Sequence, residues 1–116
     1  MVSHATLRYT KTSAQKARLV VDQIRGRDVG EALGILKTST KRVSKDVEKL
    51  LSSAIANAQN REERIDVDRL FVKAVWVDEG PTEKRGRAGT MGRFFRVLHR
   101  SSHITVQLDL RGARRA

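Results

Sequence analysis

Lys84, Arg85, Arg87, Arg93, Arg96 and Arg100 crowd one short stretch in which no acid follows Glu83 until Asp109. A guanidinium presents a rigid fork of N–H donors that matches two phosphate oxygens, and an ammonium supplies a point charge. The chemistry these side chains can do together is therefore phosphate binding along a polyanion. Among them Gly86, Gly89 and Gly92 recur at every third position, around Arg87, Ala88, Thr90 and Met91. Gly86-Arg87-Ala88-Gly89 has the spacing of the GXXG that clamps nucleic-acid backbone between two helices, but both flanks here read as extended chain. No Gly-Lys-Ser or Gly-Lys-Thr follows the glycines and no helix opens after them, so they are not a nucleotide phosphate loop.

Catalysis has no comparable cluster. The histidines are His4, His99 and His103. Ser102 and His103 are adjacent in an extended segment, so they point to opposite faces and cannot act as nucleophile and base. Asp78 and Glu79 are parted by the same geometry. Cysteine is absent, so disulfides and thiolate metal sites are excluded. The expectation is no enzyme, no metal and no cofactor.

The charge balance names the partner class. The 116 residues carry 24 Lys and Arg against 13 Asp and Glu, a formal net of +11. Residues 1–83 hold 15 basic and 12 acidic side chains, whereas 84–116 hold 9 basic ones against Asp109 alone. Such an excess repels itself unless a polyanion neutralises it. The sequence alone leaves other readings open: a solvated basic tail, a DNA-architectural β-arm and a peripheral membrane protein. The last is disfavoured, because no stretch approaches the roughly 18 apolar residues of a span and the longest amphipathic segment lacks the aromatic anchors of an interfacial helix. The start, Met-Val-Ser-His-Ala, has no charged head and apolar run, so no signal peptide is expected and the protein is read as soluble and cytoplasmic.

The elements that must position the basic stretch follow from periodicity. His4 to Tyr9 alternates and reads as a short strand. Ser13 stands at a helix N-cap, with Lys16 rather than Glu three residues on, so the reciprocal capping box is missing. Ala17, Val20, Val21 and Ile24 then recur at helical spacing, with Gly26 as the stop. Asp28 caps a second helix with Val29, Ala32, Leu33 and Leu36 on one face. Thr40 is the expected cap of a third, whose stripe is Val43, Val47, Leu50, Leu51, Ala54, Ile55 and Ala58; Lys41, Arg42, Lys45, Lys49 and Arg61 are left for its outside. Asn60 to Asp66 reads as a loop. Leu70 to Val77 is rich in β-branched and aromatic residues, and Ile104, Val106, Leu108 and Leu110 alternate with Thr105, Gln107 and Asp109 as in a half-buried strand.

The expected fold class is α+β: one domain over 1–116, with three helices packed on a small antiparallel three-stranded sheet and a long protruding β-hairpin. The hairpin spans 78–103, and 111–116, with Arg111, Arg114 and Arg115, is a basic C-terminal tail. Each hairpin arm of about a dozen residues reaches roughly 40 Å, about the width of the body. Lys16, Arg18 and Arg25 on the first helix, with neighbouring Arg27, form a second basic surface, and His103 is a further RNA-facing candidate.

Several blocks together resemble the universal large-subunit ribosomal protein family numbered twenty-two. They are Ala14 to Gly26 (A-Q-K-A-R-L-V-V-D-Q-I-R-G), Glu31-Ala32-Leu33, Ser53 to Ala58, Val77 to Thr82 (V-D-E-G-P-T), and Arg100 to Val106 (R-S-S-H-I-T-V). They fall in order over nearly the whole chain. The resemblance implies a protein that binds large-subunit ribosomal RNA and supports subunit assembly. It implies a body near the exit of the peptide tunnel and a hairpin whose tip, Gly86 to Gly92, lines the tunnel. Lys84, Arg85, Arg87, Arg93 and Arg100 carry over as RNA-facing. The implied partners are that RNA, neighbouring large-subunit proteins and the nascent peptide, with no membrane and no homo-oligomer. The family tip usually carries a bulky residue and an arginine-rich, proline-containing run; here Gly89 and Met91 fall where arginines are common.

Overall fold

The computed structural model describes residues 2–88 and 94–110. The elements run β1 (Ser3–Thr10), α1 (Ala14–Ile24), α2 (Val29–Thr38), α3 (Val43–Arg61), a single 3-10 turn (Val67–Arg69), β2 (Leu70–Glu79), β3 (Glu83–Ala88), β4 (Phe94–His99) and β5 (Ser102–Leu110). The fold is α+β, with three helices against an antiparallel sheet of order β1-β5-β2 and a separate two-stranded ribbon, β3-β4.

Each helix buries the stripe that its spacing foretells, except that Leu33 on α2 and Ile55 on α3 are only partly buried. On α1, Ala17, Val20, Val21 and Ile24 are fully buried, and Ser13 is the N-cap, its Oγ accepting from the Lys16 backbone N–H. Gly26 ends the turn at φ +79°, a conformation that costs glycine nothing. On α2, Asp28 holds the cap position, but its side chain makes no cap hydrogen bond. On α3 the expected cap at Thr40 is displaced. The helix begins at Val43 behind Arg42, and Ser39 Oγ accepts from Lys41 N and from Ser44 Oγ to tie the preceding turn. The helix also runs two residues into the segment read as loop, taking in Asn60 and ending at Arg61.

β5 is the central strand and shows the cleanest alternation. Ser102, Ile104, Val106 and Leu108 are buried under the helices, while His103, Thr105, Gln107 and Asp109 are half-buried on the other face. β2 is less regular because its register with β5 shifts between Val72 and Ala74. This bulge at Lys73 lets Leu70, Val72, Val75 and Val77 all face the core although the spacing between Val72 and Val75 is odd. On the outer face Lys73 Nζ lies 3.5 Å from Asp109. The Asp109 carboxyl is held below its usual range first by the Leu110 backbone N–H, with Lys73 adding to it. Both side chains are partly exposed, so the pair adds little to stability.

The outer edge of β2 is covered. Gly26 N donates to Val72 O and Val72 N to Arg27 O, at 3.0 and 2.9 Å. Further along, Arg25 Nη2 donates to Val75 O (2.9 Å) and Arg18 Nη2 to Val77 O (3.0 Å). Two arginines thus occupy edge carbonyls that would otherwise template another strand.

The ribbon leaves the body at a tight crossing. Gly80 N donates to Ser101 O (3.0 Å), and the Ser101 hydroxyl donates to Pro81 O (2.7 Å). A Cβ at Gly80 would lie 2.5 Å from Ser101 Oγ and 3.3 Å from both His103 Nε2 and the Ser101 carbonyl carbon. Turning Ser101 aside relieves the first clash only by breaking its bond to Pro81. Gly80→Ala is therefore expected to destabilise the fold by about 1–2 kcal/mol, read in a thermal melt as a midpoint lower by roughly 5–10 °C. Beyond this crossing β3 and β4 pair from Glu83↔His99 to Ala88↔Phe94. The extents of 70 × 25 × 21 Å and radius of gyration of 17.7 Å are those of a body with a projecting arm; a compact domain of this length would have about 13 Å.

Candidate nucleic-acid interface

The arm is positioned by two devices already visible in the chain. The β2–β5 ladder brings Glu79 opposite Ser102, and the β3–β4 ladder resumes at Glu83 opposite His99. Lys84 and Arg100 are exposed on this ribbon. Arg85 and Arg87 are backbone positions on β3, opposite Val97 and Phe95, and Arg96 lies on β4 opposite Gly86. The expected tip residues Gly89, Thr90, Met91 and Gly92, together with Arg93 and the tail at 111–116, lie outside the described residues.

The basic surface proposed around α1 divides. Lys16 is exposed at the N-terminal turn. Arg18 and Arg25 are exposed too, yet each also anchors a β2 carbonyl, and Arg25 Nη1 pairs with Asp22 Oδ1 at 2.7 Å. Arg27, just before α2, pairs with Glu31 on the first turn of that helix. A guanidinium has five N–H donors, so Arg18 and Arg25 retain donors for a phosphate while bracing the sheet. His103 faces away from the core, but its Nδ1 accepts the Tyr9 backbone N–H (3.0 Å) and its ring meets the Tyr9 ring edge-to-face at 4.7 Å. It ties the end of β1 to the root of the ribbon, a use that its position in the sequence does not announce.

The structure also assembles what sequence reasoning missed. Lys16 and Arg100 line one concavity of about 1000 Å³ at the ribbon root, joined by Lys11, Arg42, His99 and Tyr9. Glu83 is the one acid among its lining residues. Lys11, Arg42 and Arg100 come from three separate connections, and no local motif links them. Among the described residues no group of three or more His, Cys, Asp or Glu could hold a metal ion.

Residues 5–109 match the family described as ribosomal protein L22p/L17e. The chain belongs to that family. It is 53% identical over 104 residues to a protein of Solibacter usitatus named large ribosomal subunit protein uL22, covering 90% of this chain and 92% of the relative. The protein of that name from Halothermothrix orenii is 49% identical over 106 residues, covering 91% and 93%. The Bdellovibrio bacteriovorus protein, also so named, is 49% identical over 105 residues, covering 90% and 94%. The matched span takes in the body and both arms of the ribbon, so the features described above are those of a ribosomal protein of the L22p/L17e family.

Proposed function

We propose that this protein is a non-catalytic, structural component of the cytoplasmic large ribosomal subunit that binds large-subunit ribosomal RNA. The observation that carries the reading is the ribbon. It projects from a folded body, is paired apart from the three-stranded sheet, and bears basic residues on both strands. A lone two-stranded ribbon is marginal in water, so it is built to be completed by a partner, and its charge selects a polyanion. Phosphates pair with the arm's Lys84, Arg85, Arg87, Arg93, Arg96 and Arg100, and at the body with Lys16, Arg18 and Arg25. These contacts fix position and orientation without reading sequence. The body sits near the tunnel exit and the ribbon runs inward, its tip along the tunnel wall beside the nascent peptide. Neighbouring large-subunit proteins flank the body, and the arm supports assembly by bridging RNA segments.

Sedimentation of lysate through sucrose gradients at low and high salt tests this. The protein is expected to travel with the large subunit in low salt and to leave it only as salt rises. Residence at the top of the gradient in both salts would overturn the reading and favour the DNA-architectural alternative.

A further inference from the structure

The concavity at the ribbon root has a feature that phosphate anchoring does not use. Tyr9 is 62% exposed and stands at φ +58°, the only non-glycine residue with positive φ among those described. That left-handed conformation is unfavourable for a residue with a Cβ, and strain of this kind gathers where a side chain must be aimed. Here the β1 register with β5 breaks between Leu7 and Thr10. The displaced Tyr9 is fastened by its N–H to His103 Nδ1 and by its ring against the imidazole. An aromatic ring is thus held out from the body over a hollow whose walls carry Lys11, Lys16, Arg42 and Arg100. None of these four cations has an ion-pair partner among the described residues.

We propose that this hollow receives a single unpaired RNA nucleotide, its base stacked on Tyr9 and its flanking phosphates held by Lys11, Lys16, Arg42 and Arg100. The inference rests on the ribosomal RNA reading and adds to it a place where the RNA must be single-stranded. In a duplex the base faces are covered by their neighbours, so a helix can offer phosphates to the cations but nothing to the ring. A bulged or looped nucleotide offers both. The occupant is a nucleic acid rather than an acidic protein because a flat ring beside several unpaired cations matches a base joined to phosphates.

The test separates the ring from the fold. Glycine prefers the backbone angle that Tyr9 adopts, so Tyr9→Gly is expected to keep or raise the melting temperature while removing the stacking surface. In filter binding of the full chain to protein-free large-subunit ribosomal RNA, Tyr9→Gly is expected to weaken affinity about tenfold with the salt dependence unchanged. Tyr9→Phe, which retains the ring, restores most of that loss. The double variant Lys11→Gln, Arg42→Gln is instead expected to lower the salt slope by roughly 1.5–2. Ultraviolet cross-linking of assembled subunits should join the tryptic peptide Tyr9–Lys11 to a nucleotide in an unpaired segment. Wild-type affinity in Tyr9→Gly would overturn the stacking proposal and leave ribosomal RNA binding standing. Failure of the unaltered chain to bind that RNA at low salt would overturn both.

Discussion

Replacing Lys84, Arg85, Arg87, Arg93, Arg96 and Arg100 together by Gln is expected to remove most of the salt-sensitive affinity for large-subunit ribosomal RNA. Each cation that neutralises a phosphate releases condensed counterions, which contributes about 0.7 to 0.9 to the slope of log affinity against log salt. The arm's roughly six contacts contribute about −4 to −5 to that slope, so between about 50 and about 200 mM salt they account for ~10³-fold of the weakening. The six-fold variant should lose the arm's share of the slope and keep the smaller share that comes from the body's contacts. Lys84 and Arg100 are exposed, and Lys84, Arg85, Arg87 and Arg96 lie on the strands of the ribbon, which is separate from the three-stranded sheet. The variant should therefore unfold at nearly the same urea concentration as the parent. Filter binding across a salt series reads the result directly. A slope equal to that of the parent would mean that the arm is not the anchor, and equal loss on a DNA duplex of matched length would deny the arm any preference for RNA.

The largest expected effect on stability is at Leu108. It is fully buried in the central strand, opposite Ser3 on β1 and Val72 on β2, so its side chain lies where the sheet meets the helices. Truncation to Ala should cost about 2–5 kcal/mol, a large part of the roughly 5–15 kcal/mol that holds a domain together. Thr105→Ala, on the opposite face of the same strand, should change stability by less than about 0.5 kcal/mol. Urea unfolding of the two variants side by side provides the comparison. Equal midpoints would contradict the assignment of this face as the core.

Periodicity made most of the architecture legible. The stripe from Val43 to Ala58 and the alternation from Ser102 to Leu108 each state which face is buried, because a single period governs them. Where two constraints compete, the sequence is silent. The bulge at Lys73 breaks the alternation of β2, and nothing local distinguishes that break from a poorer strand. Thr40 has the chemistry of a cap, yet Ser39 ties the turn, since the choice depends on where the chain leaves α2. The site divides in the same way. The charge run from Lys84 to Arg100 is contiguous and can be seen in one dimension. Lys11 and Arg42 meet Arg100 only after the fold has closed. The bracing of β2 by Arg18 and Arg25 was equally hidden, because which strand lies at an edge, and which helix lies beside it, are properties of the assembled sheet.

The position of β5 has a consequence for how the molecule comes into being. The middle strand of the sheet is the last of the described strands: Ser3 pairs with Leu108, and Leu70 with Leu110. While the polypeptide is being made, β1 and β2 have no strand to lie against until residues 102–110 emerge. β2 can meet β5 across the short span from Glu79 to Ser102, but the pairing of β1 closes a loop of nearly the whole chain, which slows folding relative to a helical protein of equal size. The three helices can gather early, but their apolar faces stay uncovered until the final strand is inserted between its two partners. Loss of that strand would therefore not trim the protein; it would leave a chain unable to finish folding.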